Sequence, residues 1–558
     1  MIVPLRRRLT DVVLALDTSV RGLMEDPLHF AVQVARRLKL VGPPGRHHDG
    51  LLAAYRWFLA DQPDQARDAL SGMSQATGWR RRLARRLAVQ LGMFRAEAND
   101  PPRLRAQDLA QAGALSAAAD AAPPGSRLAA RLASERAVLA PAAQRSRGHR
   151  GHPSSALFLL TNSLPHTRSG YTVRSHEMLT ALSAAGVEVN AATRIGYPTT
   201  VGILGSPLTS VVDGIPYHRL PAWRLPVRLD ERVAAHTEAA ARLLTRIRPG
   251  VLHCTTDYTN ALVARELSSR FSLPWVYEMR GQLELTWVAS RPESLRDEAA
   301  ISERVRLLRA KEAELATDAH AVIVLSQVQR EDLISRGVPP ERIAVLPNAT
   351  DPSLLNQDLS PGQARVELGL PAEGVWVGSV SSLVGYEGFD VLLDAVARCR
   401  TNGIDVRCAI AGDGVSRPGL AAQAEALGLG DAVVLPGRQP RDRAALWHQA
   451  LDAFAVPRHD LAVTRVVTPL KPIEAMALGR PVIASDLPAL AELAKTPGSG
   501  LLTTPGDADS LAEAIGRLAA DEGLRSRLAS NGRRFAAGRT WPANAARCRQ
   551  IYQDICHV

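Results

Sequence analysis

The stretch that decides the fold runs from Pro457 to Glu492 and reads PRHDLAVTRVVTPLKPIEAMALGRPVIASDLPALAE. An apolar run of strand-like length, Ala450 to Val456, precedes it. Pro472 suits the first turn of a helix and Gly479 suits its C-terminal cap, so the middle predicts a helix. The next residues, PVIAS, are typical of a buried strand. Strand, loop, helix and strand in this order predict one crossover unit of a parallel sheet.

Two charged residues at the start of this predicted helix are candidates for binding a ligand. Lys471 places a cation there, and Glu474 lies one turn further on, where a carboxylate can accept two vicinal hydroxyls. The free N–H groups and the dipole of a helix start favour an anion. An acid is favourable there without any ligand, which would explain Glu474 alone. It explains Lys471 less well, because a cation is disfavoured at a helix N-terminus.

The segment PLKPIEAMALGRPVIASDLPALAEL resembles the donor-binding motif of family 4 retaining glycosyltransferases, which have the GT-B fold. The resemblance extends from roughly Ser154 to the end of the chain. It implies an α/β fold with two Rossmann-like domains facing a cleft, here preceded by an α-helical N-terminal domain. It also implies that Glu474 binds the ribose of a nucleotide sugar. Most members carry a second glutamate where this chain has Val466, and what replaces it stays open.

Two positions in the first of these domains resemble functional positions of the family, and a charged pair there lies at a strand edge. Gly170 follows the first strand and resembles the glycine loop that approaches the donor phosphates and the acceptor, where many members have two glycines. His253 ends the strand VLHC and is a candidate for the family histidine that faces the transferred sugar; the alternative is a hydrogen-bonded core histidine. Arg280 and Glu278 stand at the tip of PWVYEMRG, at the strand edge where ligands bind. Their alternative is a structural ion pair.

The glycine-containing loop of the second domain departs from the family pattern. Most members carry an arginine in this loop and a Lys-Gly at the next helix start, and both cations hold the diphosphate. This chain has Ser379, Ser381 and Glu387-Gly388, which resembles a variant subgroup with Tyr-Glu-Gly and Pro-Leu-Lys-Pro motifs. The cations that could supply the charge instead are Lys471, Arg458 and Arg465.

The resemblance and the residue chemistry together give a predicted site without a metal. The predicted catalytic residues are His253, Lys471 and Arg280. The predicted donor-binding residues are Gly170, Ser381, Arg458, Thr468, Lys471 and Glu474. Asp507-Ala508-Asp509 has the form of a metal-binding DxD triplet, but it precedes an apolar-periodic run and predicts a helix cap. We expect no metal and no cofactor, since the nucleotide sugar is a substrate.

Composition limits the class of protein and of partner. The chain has 558 residues, 46% of them hydrophobic, which predicts several domains with sizeable cores. A net charge of +11 favours acidic partners, but only 4% of residues are aromatic and no basic-aromatic pattern indicates RNA binding. The five cysteines are scattered, which fits a reduced cytosol and no zinc site. The predicted parts are a helical region with linker (1–153), an acceptor domain (154–348), a donor domain (349–538) and a helix returning to the first domain (539–558). The linker is predicted from Ala121 to Pro153, where Pro-Pro-Gly and an Arg/Gly/His/Pro tract stand.

The N-terminal region raises the question of a membrane. The segment MIVPLRRRLTDVVLALDTSV is a poor signal peptide, and no apolar run approaches the ~18 residues of a spanning helix. Gly78 to Met93 predicts a basic amphipathic helix with Leu83, Leu87 and Leu91 on one face. This helix could lie on an anionic membrane, or its leucines could pack inside the protein. We expect a cytoplasmic protein, with peripheral contact at the inner membrane surface as the alternative.

The predicted function is transfer of a sugar from a nucleotide-diphosphate donor, with retention at the anomeric carbon by resemblance. The acceptor would be a glycan, a lipid-linked molecule or a small molecule, in polysaccharide or glycoconjugate biosynthesis. No carboxylate is securely placed as a nucleophile, so we predict no covalent intermediate. One alternative is a non-catalytic GT-B scaffold, which would explain Val466 and the loop that lacks the usual cations. The other alternative is a GT-B sugar-nucleotide epimerase.

Overall fold

A computed structural model of the protein describes residues 5–25, 34, 50–59, 63–71, 77–142 and 149–557. The chain divides into two compact units. The first unit comprises Met1–Val322, Leu333–Arg342 and Tyr552–Val558, and the second comprises Ile323–Asp332 and Ile343–Ile551. Residues 143–148, within the linker predicted from composition, lie outside the described residues.

Helices alone form the described part of the N-terminal region. They are α1 (Leu5–Glu25), α2 (Leu51–Leu59), α3 (Pro63–Ser71), α4 (Gly78–Gln90), α5 (Pro102–Ala112), α6 (Leu115–Ala121) and α7 (Arg127–Leu139). Helix α7 falls inside the stretch predicted as a linker. Ser126 begins this helix and caps it by accepting a hydrogen bond from the Ala129 N–H. No helix among the described residues is long and apolar enough to cross a membrane.

The basic helix α4 turns its leucines into the protein. Leu87 and Leu91 are buried in a small core with residues of α2 and α3, whereas Arg81 and Arg82 are exposed. Arg85 pairs with the carboxylates of two residues beyond the helix. Leu87 and Leu91 are therefore not available to a membrane, whereas Leu83 is partly buried, and the packed alternative describes this helix.

An eight-stranded sheet is built mainly from residues of the first unit. The strands are β1 (Ser155–Leu160), β2 (Glu188–Thr193), β3 (Thr209–Val212), β4 (Ile215–His218), β5 (Val251–Thr255), β6 (Trp275–Glu278), β7 (Ala321–Val324) and β8 (Ile343–Val345). Their order is β3-β4-β2-β1-β5-β6-β7-β8, and β1 pairs in parallel with both β2 and β5.

Helices connect these strands, as a mostly parallel sheet requires. They are α8 (Gly170–Ala184), α9 (Leu229–Ile247), α10 (Tyr258–Phe271), α11 (Leu283–Ala289), α12 (Arg296–Ala300), α13 (Glu303–Asp318) and α14 (Gln327–Ser335). The chain order reverses between β1 and β5, so the segments that follow these two strands diverge at the carboxyl edge of the sheet.

The second unit is a six-stranded Rossmann-like sheet. Its strands are β9 (Val375–Val380), β10 (Val406–Ala411), β11 (Val433–Gly437), β12 (Ala453–Val456), β13 (Val482–Ser485) and β14 (Gly500–Thr503). All pairs are parallel, in the order β11-β10-β9-β12-β13-β14. The strand order again reverses once, between β9 and β12.

Ten helices accompany this second sheet or follow it. They are α15 (Pro361–Glu367), α16 (Phe389–Thr401), α17 (Arg417–Ala426), α18 (Arg441–Gln449), α19 (Ala462–Val466), α20 (Lys471–Ala477), α21 (Pro488–Ala494), α22 (Ala508–Ala520), α23 (Glu522–Ala537) and α24 (Trp541–Cys556). Separate buried cores lie on the two faces of the sheet. The crossover predicted from the opening stretch is confirmed as β12, α20 and β13, with the short helix α19 inside its loop.

Candidate functional site

In the second unit, the carboxyl ends of β9 and β12 meet where the strand order reverses. Ligands of open α/β sheets bind at such switch points. The loop after β9 ends at Gly388, whose φ is 72°, and the loop after β12 begins at Pro457. A Cβ atom on residue 388 would lie 1.8 Å from the Pro457 carbonyl oxygen. Only glycine therefore allows these two loops to approach so closely.

The two charged residues of α20 form an ion pair beside this switch point. Lys471 is the first residue of the helix, and its Nζ lies 3.0 Å from Oε2 of Glu474, one turn further on. The Lys471 side chain is 35% exposed and that of Glu474 is 20% exposed, so a ligand can reach both groups. Helix α20 has only seven residues, so its dipole is a small contribution beside these two full charges.

His448 lies behind Glu474, and sequence analysis missed it. This residue of α18 is buried against the ring of Phe454, with 5.1 Å between ring centroids. Its Nε2 is 3.6 Å from Oε2 of Glu474, and neither ring nitrogen has a hydrogen bond within the described part of the chain. A lone histidine in a helix gives no signal in the sequence, because its partner is set by the fold.

Electrostatics keep Glu474 ionised. Burial acts to raise its pKa, but the nearby Lys471 ammonium, followed by His448, lowers that pKa by more, to about 2. Burial lowers the pKa of His448, against the opposing effect of Glu474, and so favours the neutral imidazole. At neutral pH the site therefore presents a carboxylate with a lysine on one side and a histidine behind it.

Arg458 is held by the loop that follows β9. Its Nε and Nη2 donate to the two carboxylate oxygens of Glu387 at 3.1 and 2.7 Å, and its Nη1 donates to the Val467 carbonyl at 2.9 Å. The arginine is only 6% exposed. Glu387, which stands where the family resemblance would place a lysine, therefore binds an arginine from the neighbouring loop. Of the three candidate cations, Lys471 and Arg465 keep exposed surface and Arg458 does not.

Thr468 and Ser381 also lie near the switch point. The Thr468 carbonyl accepts a hydrogen bond of 3.0 Å from the side-chain amide of Asn348, which fixes the loop before α20. The Thr468 hydroxyl is buried and makes no hydrogen bond within the described residues. Ser381 follows β9 directly, and its backbone N–H donates to the Ala411 carbonyl at 3.0 Å. The structure thus brings Ser381, Arg458, Thr468, Lys471 and Glu474 into the loops and helix start at one edge of the sheet.

Gly170 differs from its predicted setting. It is the first residue of α8 rather than part of a tight turn, and its φ is not positive. The preceding Ser169 caps the helix by accepting a hydrogen bond from the Thr172 N–H, and the Thr172 hydroxyl accepts one in return. Apart from its sequence neighbours and the backbone of its own helix, no atom of the described residues lies within 4 Å of where a Cβ on Gly170 would stand. The position borders open space, which leaves room for a ligand without requiring one.

His253 and Arg280 are locked in a buried network of the first unit. Glu278 accepts hydrogen bonds from Arg174 at 2.9 Å and from Arg280 at 2.6 Å. His253 Nδ1 lies 2.7 Å from the Tyr552 hydroxyl, and its Nε2 is 3.4 Å from Glu278. Burial acts to raise the pKa of Glu278, but the two arginines hold it well below its ordinary value. This placement gives His253 and Arg280 no surface for a sugar, and the core alternatives describe both.

A second buried acid in the same unit gives a pH-dependent prediction. Burial raises the pKa of Glu312 to about 8, although the Tyr277 hydroxyl donates a hydrogen bond to it and opposes the shift. Between the ordinary value of 4.5 and about 8, the folded protein holds a proton that the unfolded chain has lost. The free energy of unfolding should therefore fall as pH rises through this window.

We expect Glu312→Gln to flatten that dependence, because the amide cannot ionise. Denaturant unfolding followed at about pH 5 and about pH 8 measures it. The wild type should lose stability at the higher pH, and the variant should lose less. The exposed Glu341→Gln is the matched control and should behave as the wild type does. Equal pH dependence in wild type and Glu312→Gln would show that Glu312 is not protonated in the folded state.

The Asp507-Ala508-Asp509 triplet belongs to a helix cap. The Asp507 side chain accepts hydrogen bonds from the N–H groups of Asp509, at 2.8 Å, and Ser510, at 3.2 Å. Asp509 forms an ion pair with Arg398. The capping role predicted for Asp507 at the start of α22 is confirmed.

Family comparisons agree with the two Rossmann-like units. The model described as "Glycosyl transferase 4-like domain" matches residues 169–349, and that described as "Glycosyl transferases group 1" matches residues 363–535. Together they match more than half of the chain. The chain is a GT-B glycosyltransferase. Neither match includes the N-terminal helices α1–α7.

Curated relatives of this glycosyltransferase carry the name D-inositol 3-phosphate glycosyltransferase. The protein from Acidothermus cellulolyticus is 28% identical over 402 residues, covering 69% of this chain and 85% of the relative. The protein from Frankia alni is 28% identical over 409 residues, covering 69% of this chain and 94% of the relative. The scaffold and epimerase alternatives are not favoured by these matches.

Solved structures share the fold of the glycosyltransferase at low identity. Sucrose-phosphate synthase from Thermosynechococcus elongatus gives a TM-score of 0.59 at 23% identity, covering 72% of this chain and 99% of that protein. Anabaena HepE in complex with UDP-glucose gives a TM-score of 0.52 at 21% identity, covering 72% of this chain and 100% of that protein.

Proposed function

We propose that this glycosyltransferase moves a sugar from a nucleotide-diphosphate donor to an acceptor, with retention of configuration at the anomeric carbon. The observation that carries the proposal is the accessible Lys471–Glu474 ion pair beside the switch point of the second sheet. A cation and a carboxylate one turn apart suit a diphosphate and a pair of ribose hydroxyls, respectively. The HepE structure with UDP-glucose supports the same class of donor.

In this mechanism the Glu474 carboxylate accepts hydrogen bonds from the ribose and fixes the nucleotide. The bond from the anomeric carbon to the diphosphate oxygen then breaks, and the oxygen of the acceptor hydroxyl bonds to the same face of the sugar. The proton of that hydroxyl passes to the departing diphosphate oxygen. Lys471 turns from Glu474 to the departing diphosphate and stabilises its growing negative charge. When Lys471 has turned away, the buried His448, 3.6 Å from Glu474, still restricts the orientation of this carboxylate.

The loop after β9 supports assignment to the variant subgroup with a Tyr-Glu-Gly motif. Glu387 binds Arg458 on both carboxylate oxygens, so neither charge is left for a phosphate. We propose that this pair joins the two loops of the site as a structural clamp. Positive charge for the diphosphate then comes chiefly from Lys471.

The acceptor is proposed only as a class, namely a hydroxyl of a glycan, a lipid-linked molecule or a small molecule. The relatives are named for D-inositol 3-phosphate, so this phosphorylated polyol belongs in the first acceptor panel.

A thermal-shift screen of the full chain against UDP, GDP, ADP and dTDP tests the donor class. A ligand that binds only the folded state adds about 2.7 kcal/mol of stability at a concentration of 100 Kd. We expect one nucleotide to raise the unfolding temperature selectively. A scaffold protein would bind none of the four, and the absence of any shift at millimolar concentrations would contradict the proposed function.

We further propose that transfer needs no divalent metal, and that activity survives EDTA. The capping of α22 by Asp507 and the Asp509–Arg398 pair support this, because both acids already have partners in the second unit. Donor turnover is measured with and without EDTA, and a metal-dependent glycosyltransferase assayed in parallel controls for chelation. Complete loss of turnover that Mn²⁺ restores would overturn this prediction.

A further inference from the structure

Helix α1 packs on the rest of the first unit through a face that carries both Asp11 and Leu14. Asp11, only 1% exposed, accepts hydrogen bonds from the Thr199 hydroxyl at 2.8 Å and from the Gly205 N–H at 3.0 Å. Arg21 donates to the Leu225 carbonyl at 2.6 Å. An aspartate buried with its hydrogen-bond partners fixes the rotation of this helix about its axis, because turning it would leave the charge unpaired.

The opposite face of α1 is apolar and faces outward. Its exposed residues are spaced by three or four and form one stripe: Leu9 (51% exposed), Val12 (42%), Leu16 (58%) and Val20 (51%). At 1.5 Å per residue the stripe is roughly 17 Å long. A surface helix normally turns its apolar stripe to the core and its polar face to water. Helix α1 buries Leu14, but it also buries Asp11 and leaves these four apolar side chains at the surface, which indicates a partner for the outward face.

Two loops that contact α1 also carry exposed apolar residues. Leu204 is 50% exposed and precedes Gly205, which bonds to Asp11 of the helix. Trp223 is 47% exposed and precedes Arg224, whose Nε lies 3.7 Å from a carboxylate oxygen of Asp17. The α1 surface is defined here as Leu9, Val12, Leu16, Val20, Leu204 and Trp223.

The charges around the α1 surface distinguish between partners. The first turn of the helix has the sequence Leu5-Arg6-Arg7-Arg8, and the side chain of Arg224 is 78% exposed. Among the described side chains of α1, both acids, Asp11 and Asp17, are turned inward. A second copy of the chain would bring a net charge of +11 against the same charge. An apolar stripe, with Trp223 and the exposed Arg224 in a loop that contacts α1, suits an anionic lipid interface.

We propose that the α1 surface is a contact site for an anionic membrane, with the stripe lying in the headgroup region. The contact differs from the one considered for α4, where Leu87 and Leu91 are buried. It is independent of the proposed donor chemistry, since it requires neither Lys471 nor Glu474. It would keep the first unit, which carries Gly170 and its open surroundings, beside molecules dissolved in or anchored to the bilayer.

Co-sedimentation of the full chain with vesicles tests the proposal. The vesicles are phosphatidylcholine alone or phosphatidylcholine mixed with phosphatidylglycerol, without any nucleotide. We expect binding to the mixed vesicles that weakens as salt rises, and little binding to phosphatidylcholine. Leu16→Glu and, separately, Val20→Glu should each weaken binding at least about tenfold, because a carboxylate replaces an inserted apolar group.

Ile301→Glu is the matched control, since it makes the same change at a side chain that is 88% exposed outside the α1 surface. It should bind vesicles as the wild type does. Three results would overturn the proposal. The wild type could fail to bind mixed vesicles, or the α1 variants could bind as tightly as the control. Alternatively, the variants could change the oligomeric state or the unfolding temperature while vesicle binding stays unchanged, which would assign the stripe to a protein contact.

Discussion

Glu474→Gln is expected to weaken donor-nucleotide binding by about ten- to a hundredfold, since a hydrogen bond to a charged group contributes about 1.5–3 kcal/mol. In the structure the carboxylate is partly exposed, held by Lys471 at 3.0 Å and backed by His448. The amide keeps the shape of the side chain but loses its charge and one acceptor. The fold should therefore survive while the ribose contact weakens.

Calorimetric titration with whichever nucleotide gives a thermal shift measures this loss. Asp509→Asn is the matched control, because it also neutralises an acid in the first turn of a helix of the second unit. Since the pKa of Glu474 is held at about 2, the difference between wild type and Glu474→Gln should stay constant between about pH 5 and 8. Wild-type affinity in Glu474→Gln would remove this residue from the donor site.

Lys471→Ala is expected to lower kcat by about a hundredfold, the loss typical of removing one group that stabilises developing charge. The donor KM should rise less, because the charge on the leaving diphosphate grows toward the transition state. Lys471→Arg should restore activity only in part, since guanidinium and ammonium differ in shape and reach. Steady-state kinetics for the three proteins with one donor measure kcat and KM separately.

Variants of Arg458 show whether the structural role and the role in transfer belong to different cations. Its pairing with Glu387 is buried, so Arg458→Ala should leave an uncompensated carboxylate and destabilise the protein by about 3–5 kcal/mol. A lower unfolding temperature in Arg458→Ala, with normal stability in Lys471→Ala, separates the structural clamp from the cation that acts in transfer. Wild-type kinetics in Lys471→Ala, together with lost turnover in an Arg458→Lys variant that remains folded, would assign the diphosphate to the arginine.

The sequence predicts the second unit well because its signals are local. Proline and glycine bound α20, and apolar runs of strand length flank it, so the crossover from β12 to β13 follows from adjacent residues. Lys471 and Glu474 are three residues apart, and helical geometry alone brings them together. Sequence analysis missed helix α7 because a Pro-Pro-Gly turn precedes it and an Arg/Gly/His tract follows it. Both are typical of a linker, so the whole stretch was predicted as one.

Pairings between distant residues could not be predicted in this way. Glu387 and Arg458 are 71 residues apart, and their bond depends on two loops meeting where β9 and β12 lie side by side. His253 and Tyr552 are 299 residues apart, so nothing near the VLHC strand shows that a tyrosine of α24 binds that histidine. A strand-end histidine therefore has the same local sequence whether it faces a substrate or a core.

Donor turnover by the full chain tests the central claim most directly. The purified protein is incubated with a panel of sugar nucleotides and an acceptor extract, and release of the nucleoside diphosphate is followed for wild type, Glu474→Gln and Lys471→Ala. We predict that the wild type consumes one donor selectively, and that both variants are at least tenfold slower with that donor while Asp509→Asn is not. Equal consumption by the wild type and both variants, or none by the wild type although it binds a nucleotide, would contradict the proposed mechanism.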